Sequence, residues 1–278
     1  MSLFALSIVL FAAVLHASWN AMVKAGGDRA LILAGVALSH ALVGILLILV
    51  STPPSIESWP ALTVSTLVHY GYYWLLFQAY RLGDLSQVYP ISRGLAPMLV
   101  AIGALLLAGE NLPPMAWGGI VTVSFGIWLL SLRSRSVEVN RPAVLVAVLL
   151  GLTIATYSVA DGIGVRLSGS PTGYMGWLFL LEAPIVFAVL GPRILRRSRI
   201  DPKTFSIGLM GGIFAVAAYG LVLYAKTIAP IGVVSAVRES SVVIAALIGV
   251  VLLGERPWKK RMAAALLVAL GVVALAAA

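Results

Sequence analysis

Long apolar runs separated by short polar loops occupy almost the whole chain. A helix needs roughly 20 apolar residues to cross the hydrocarbon core of a bilayer. By that rule the pattern predicts ten membrane spans, at residues 2–23, 30–51, 59–80, 86–108, 115–131, 142–165, 172–190, 205–225, 231–253 and 261–277. The alternation of polar and apolar residues that marks a membrane β-barrel is not visible. We therefore predict an all-α integral membrane protein.

Composition supports the same class and narrows the chemistry. The chain has 278 residues, of which 61% are hydrophobic and 10% charged, whereas a soluble domain carries about 25% charged residues. There is no cysteine, which excludes disulfides and thiolate sites. The GxxxxGK[ST], HExxH and GxSxG patterns are also missing. We expect no enzyme activity, no metal and no cofactor.

The net charge is +9. We attribute it to the membrane topology and not to a nucleic-acid partner, because the basic residues lie in short loops between apolar runs. The loops after predicted spans 1, 3, 5, 7 and 9 hold 15 of the 19 Lys and Arg residues. Basic loops are retained on the cytoplasmic side of a membrane. The sequence therefore predicts a multi-pass protein of the cell (inner) membrane with both termini outside the cytoplasm.

The chain divides into two similar parts, residues 1–136 and 137–278, each with five predicted spans in one integrated membrane domain. A shift of 145 residues places Arg93 on Arg238 and Glu110 on Glu255. Because five is odd, the two repeats enter the membrane from opposite sides. Inverted repeats of this kind form secondary transporters, whose substrate site lies near the bilayer midplane at the repeat interface.

The two matched arginines are the leading candidates for a binding site. Each lies about eight residues into its span, or roughly 12 Å deep at the rise of an α-helix. A charge at the bilayer centre costs about 2.5–3.5 kcal/mol by insertion scales, so it faces a cavity or a partner. One interpretation is that Arg93 and Arg238 bind an anionic group, because guanidinium forks suit carboxylate and phosphate. The other is a structural ion pair with Glu239.

Both halves close their fourth span on an LLLxGE-type ending, at residues 105–110 and 251–255, and Pro97 interrupts the first of these spans. This arrangement resembles the drug/metabolite transporter superfamily, EamA type. The resemblance implies a ten-helix inverted-repeat carrier of amino acids, amines or other metabolites. It also implies a central cavity lined mainly by helices 1, 3, 4, 6, 8 and 9. Arginine stands at both matched positions, where the family generally has small or apolar residues, and this argues against a cationic drug as substrate.

Further residues are predicted to line the substrate site. Glu239 would neutralise an arginine, bind an ammonium group or take up a coupling proton, although a fixed counter-ion is an equal alternative. The others are Tyr89 beside Arg93 in span 4, His69 and Tyr73 in span 3, Asn20 and His16 in span 1, and Tyr157 in span 6. For each of these a structural role in helix packing is the competing interpretation.

Three other polar residues receive weaker predictions. Asp161 is expected near the outer end of span 6, either solvated or paired with Arg166. His40 and Glu182 stand isolated in spans 2 and 7, and buried polar groups more often have a structural partner than a ligand.

The function predicted is secondary transport, by alternating access, of a small anionic or zwitterionic metabolite such as an amino acid, a carboxylate or an aminophosphonate-like compound. The alternatives are an exporter of amines or cationic drugs, and a non-catalytic lipid-binding or accessory membrane protein. The expected partners are the small-molecule substrate, the lipid bilayer and a coupling proton. A homodimer is left open.

Overall fold

The computed structural model describes residues 1–25, 27–82, 85–131, 141–196, 200–251 and 258–278. All regular structure within these ranges is helical. The first helices are α1 (Leu3–Ala25), α2 (Arg29–Val50), α3 (Trp59–Arg81), α4 (Leu85–Ala108), α5 (Pro114–Ser131) and α6 (Arg141–Leu167). They are followed by α7 (Pro171–Leu180), α8 (Ala183–Leu195), α9 (Pro202–Ile228), α10 (Ile231–Arg238), α11 (Ser240–Val251) and α12 (Trp258–Ala277).

The helices make this a multi-pass membrane protein. Seven helical segments in the described ranges are long and apolar enough to cross a bilayer: Leu3–Val23, Arg29–Val50, Pro90–Ala108, Arg141–Leu167, Pro171–Leu195, Pro202–Ile228 and Lys259–Ala277. A shorter apolar helix covers Pro114–Leu130. α3 has the necessary length, at 23 residues, but a histidine and several tyrosines in its middle lower its hydropathy.

Two of the predicted spans, 172–190 and 231–253, are helices interrupted by a break. The segment Pro171–Leu195 breaks into α7 and α8 at Leu181 and Glu182. Pro184 stands in the first turn of α8, where a residue without an N–H is tolerated best. The second break, between α10 and α11, is at Glu239. A carboxylate therefore stands at both breaks.

Glycines let α2 and α9 approach at backbone distance. A Cβ added to Gly208 would lie 2.5 Å from the Ile32 carbonyl oxygen and 3.1 Å from the Gly35 Cα. A Cβ at Gly212 would lie 2.5 Å from the Cβ of Ser39. Gly208 and Gly212 form a GxxxG pair, which serves an interface within the chain.

The Glu110 side chain joins the end of α4 to the start of α10. One carboxylate oxygen accepts a hydrogen bond from the Ile231 backbone N–H at 2.9 Å and lies 2.7 Å from Arg166 Nη2. A carboxylate at a helix N-terminus satisfies free N–H groups and complements the helix dipole. The matched residue, Glu255, lies outside the described residues.

Asp161 does not pair with Arg166, which corrects that alternative. The carboxylate of Asp161 is fully buried in α6 and accepts hydrogen bonds from Tyr174, at 3.0 Å, and from Tyr219. Arg166 instead donates to the carbonyl oxygen of Lys226 at 2.7 Å. The aspartate is therefore not solvated at the membrane surface.

We predict that Gly208→Ala destabilises the protein, because the new methyl group meets backbone atoms that cannot move aside. Overpacking of this kind costs about 1–3 kcal/mol, and thermal unfolding of the purified protein in detergent would measure it. Gly118→Ala is the matched control, since a Cβ there meets nothing within 4 Å. Equal melting temperatures for the two variants would contradict the backbone contact between α2 and α9.

Candidate functional site

A buried ion pair connects the two halves of the chain. Arg93 Nη1, on α4, donates to Glu239 Oε1 at 2.9 Å, and both side chains are 3% exposed. The partners are 146 positions apart in the sequence. Burial makes this pair strong only while both members are present, because either one alone would be an uncompensated charge. For Arg93, this contact agrees with the second interpretation given above, a structural ion pair with Glu239.

His16 of α1 completes this cluster. Its Nε2 lies 2.7 Å from Arg93 Nη2, and its Nδ1 lies 3.1 Å from the indole nitrogen of Trp19. Both neighbours are donors, whereas a neutral imidazole has a single acceptor nitrogen. His16 therefore accepts one of these hydrogen bonds at a time. The prediction that His16 belongs to the central polar group agrees with this position.

Several polar atoms at the break between α10 and α11 have no hydrogen-bond partner among the described residues. Glu239 Oε2 and the hydroxyl groups of Ser240 and Ser241 are buried there without a hydrogen-bond partner. Buried polar groups are normally paired, so each exception calls for an explanation. Three such atoms on consecutive residues fit a position where a polar ligand binds.

Arg238 differs from Arg93 because it has no carboxylate partner. Its side chain is 5% exposed at the end of α10, and among the described residues no hydrogen bond or ion pair reaches its guanidinium. Its contact is the ring of Tyr219, whose centroid lies 5.8 Å from Cζ. This distance is within the range of a cation–π interaction. A buried cation without an anion is thus present at the break.

Aromatic rings from three helices pack beside Arg238. The His69 ring stacks on Tyr157 with centroids 4.2 Å apart and planes inclined by 26°. Tyr219 and Tyr72 meet Tyr157 edge-on at 6.1 and 5.9 Å. The rings belong to α3, α6 and α9. The structure therefore brings predicted residues His69 and Tyr157 together, and it adds Tyr219, which the sequence analysis did not name.

Lys226 follows directly after the predicted span 205–225. In the structure it lies within α9 and is 1% exposed. Its Nζ donates to the Ser158 carbonyl oxygen at 2.8 Å and lies 6.0 Å from the centre of the Tyr219 ring. The predicted span ended at residue 225 because the apolar run ends there, whereas the helix continues to Ile228.

Tyr73 points away from the arginines. Its hydroxyl donates to Glu182 Oε2 at 2.9 Å, and His40 Nδ1 lies 2.8 Å from the same oxygen. His40 and Glu182, for which a structural partner was expected more often than a ligand, are partners of each other, 142 positions apart. Spacing along the chain gave no signal for this contact, because the two residues belong to different halves.

Asn20 does not join this group. The Asn20 amide donates to the His16 carbonyl oxygen at 2.7 Å, within α1, so its nitrogen is used in the helix. The Tyr89 side chain lies outside the described residues, although its backbone is part of α4.

The side chains of this candidate site come from α1, α3, α4, α6, α9 and the junction of α10 with α11. Residues 141–277 match the EamA-like transporter family. The second half of the chain is thus similar to this family. The family consists of membrane transporters of small molecules and not of enzymes, in agreement with the missing catalytic motifs.

A solved structure has the same fold as this chain. It is titled "Crystal structure of protein", and it superposes with a TM-score of 0.76 over 99% of this chain and 96% of that chain. The sequence identity is 20%, so the likeness concerns the fold. A search of curated proteins gave no significant match.

We predict that Glu239→Gln strongly destabilises this transporter, because Arg93 keeps its buried charge and loses its anion. Removing one partner of a buried pair costs about 3–5 kcal/mol. Replacing both residues, Arg93→Leu with Glu239→Leu, should recover most of that loss, since no charge remains to be paired. Thermal unfolding of wild type, Arg93→Leu, Glu239→Leu and the double variant gives the coupling energy. Additive effects would show that the ion pair is not energetically important.

Proposed function

We propose that this chain is a secondary transporter of a small anionic or zwitterionic metabolite, with the Arg238 guanidinium binding the anionic group. The observation that carries the proposal is the buried Arg238 side chain without a carboxylate partner among the described residues. A buried charge is costly unless it is paired. A substrate carboxylate or phosphonate supplies the missing anion in a bidentate geometry.

The charges of the neighbouring groups support an anion over a cation. Glu239 is already engaged by Arg93 at 2.9 Å, so this pair adds no net charge. The Arg238 guanidinium stays charged, whereas Lys226 and the Asp161 carboxylate, both in contact with Tyr219, are groups of opposite charge type. The unpaired Glu239 Oε2 and serine hydroxyls at the helix break provide neutral and anionic acceptors for a substrate N–H or O–H group.

A zwitterion also fits the aromatic side of the site. The stacked rings of His69 and Tyr157, with Tyr72 against them, offer faces that attract an ammonium group. The anionic end would bind at Arg238 and the ammonium end at these rings. Amino acids, carboxylates and aminophosphonate-like compounds form the proposed class.

Transport by alternating access follows from the proposed architecture of ten spans in two inverted repeats, residues 1–136 and 137–278. Helices of one half pack on helices of the other in a reciprocal way, with α1 on α9 and α3 on α6. The Met1 amino group lies 3.4 Å from the Ala276 carbonyl oxygen, which supports an even number of crossings. The basic loops support a location in the cell membrane with both termini outside the cytoplasm.

A thermal-stability screen of the purified protein tests the substrate class. A compound that binds only the folded state raises the melting temperature. We expect amino acids, carboxylates or phosphonates to do so and simple amines to have no effect. Stabilisation by amines alone would favour the alternative of an amine or drug exporter.

Arg238→Gln is expected to abolish this stabilisation and transport of the same compounds. Loss of a buried charged contact costs about 2–5 kcal/mol, which is at least about 30-fold in affinity. Without substrate, the variant should melt at or above the wild-type temperature, because an unpaired buried charge has been removed. Lys203→Gln, which removes an exposed cation at the start of α9, is the control. A lower melting temperature with unchanged binding would assign Arg238 a structural role instead.

A further inference from the structure

A second polar cluster lies at the break between α7 and α8, apart from the arginines. Glu182, at this break, is 5% exposed. Its Oε2 accepts a hydrogen bond from the Tyr73 hydroxyl at 2.9 Å and lies 2.8 Å from His40 Nδ1. Its Oε1 has no hydrogen-bond donor among the described residues. One oxygen is thus bound twice and the other is free to carry a proton.

Among the carboxylates whose ion pairs are seen within the described ranges, Glu182 is paired with a histidine and not with an arginine. Its ion-pair partner is His40, whereas each of the others in an ion pair is bound by an arginine: Asp28 by Arg193, Glu110 by Arg166 and Glu239 by Arg93. With neutral His40, an ionised Glu182 leaves the cluster with one negative charge inside a membrane span. Binding one proton makes the cluster neutral, which removes the cost of a charge at that depth.

The geometry of His40 directs this proton to the glutamate. His40 Nε2 is buried without a hydrogen-bond partner. An imidazolium carries a proton on both nitrogens, so a charged His40 would bury an unsatisfied N–H group. A neutral His40 that donates from Nδ1 to Glu182 Oε2 avoids this penalty. The added proton therefore belongs on Glu182.

We propose that Glu182, held by His40 and Tyr73, is a proton-binding site of this carrier. The groups that face it are His40 from α2, and Tyr73, Tyr70 and His69 from α3. Tyr70 donates to the Leu181 carbonyl oxygen at 2.5 Å, so the neighbouring carbonyl of the break is also bound by α3. A change in the charge of Glu182 acts directly on the contact between α3 and the α7–α8 break.

The remaining neighbours of α7 connect the proton site with the substrate site. From α9, the Tyr219 ring lies 6.5 Å from Phe179, which itself lies 5.2 Å from the His40 ring. From α6, Asp161 accepts a hydrogen bond from Tyr174 of α7. Tyr219 also contacts Arg238. A role of this proton in driving transport rests on the function proposed above, whereas the proton site itself does not.

Infrared spectroscopy of the purified full-length protein in lipid, titrated between about pH 5 and pH 9, tests the site with protons as the only ligand. The wild type should show a protonated carboxyl band that disappears as the pH rises. The band should be lost in Glu182→Gln and retained in Asp161→Asn, the matched change at another buried carboxylate. Absence of the band in wild type, its persistence in Glu182→Gln or its loss in Asp161→Asn would each overturn the proposal.

Tyr73→Phe provides a second test that does not depend on folding of the Glu182 variant. It removes a hydrogen bond that stabilises the ionised carboxylate, so the carboxyl band should persist to higher pH than in wild type. An unchanged titration would assign the band to another group and contradict the proposed site.

Reconstituted vesicles containing a pH-sensitive dye separate coupling from binding. Compounds that stabilise the protein in the thermal screen should acidify the vesicle interior as they enter with wild type, and no acidification should follow with Glu182→Gln. Entry of these compounds through wild type without proton movement would refute the coupling role. If no compound binds, the proposed substrate class fails, while the infrared result still decides the proton site.

Discussion

The buried pair of Arg93 and Glu239 is the interaction on which the candidate site depends. It joins a helix of the first half to a helix break of the second. Two charges at this depth are tolerated because each satisfies the other. The pair also adds no net charge to the region, since the charges of Arg93 and Glu239 cancel each other. The guanidinium of Arg238 forms no such pair among the described residues, and the proposed binding chemistry depends on this cation.

Both helix breaks place a carboxylate where backbone hydrogen bonding is interrupted. Inside a bilayer such interruptions are tolerated only beside protein or a cavity. At Glu239 the carboxylate is bound by an arginine, and at Glu182 by a histidine and a tyrosine. The two helix breaks are therefore alike in backbone structure but differ in the charge of the groups that bind the carboxylate. A fixed ion pair suits a substrate site, and a carboxylate without a permanent cation suits reversible protonation.

Sequence alone predicted the membrane class and the resemblance to the transporter family, and it singled out Arg93, Arg238 and Glu239 as charges inside the membrane spans. These features depend on composition and on charges inside apolar runs, both of which are local properties. It did not predict the pairing of His40 with Glu182, because neither residue has a distinctive neighbour in the chain. The break at Glu239 was also missed, since no proline or glycine marks it. Contacts between the two halves depend on packing, which no periodicity within one helix encodes.

The glycine contact between α2 and α9 has a consequence for motion. Side chains that interlock can change rotamer and let two helices slide, whereas bare backbone surfaces have no rotamers to change. Gly35 and Gly208 meet at such a surface, so any displacement of one helix carries the other with it. α2 belongs to the first half and α9 to the second. In the proposed alternating-access cycle these two helices would therefore move together, although they come from different halves of the sequence.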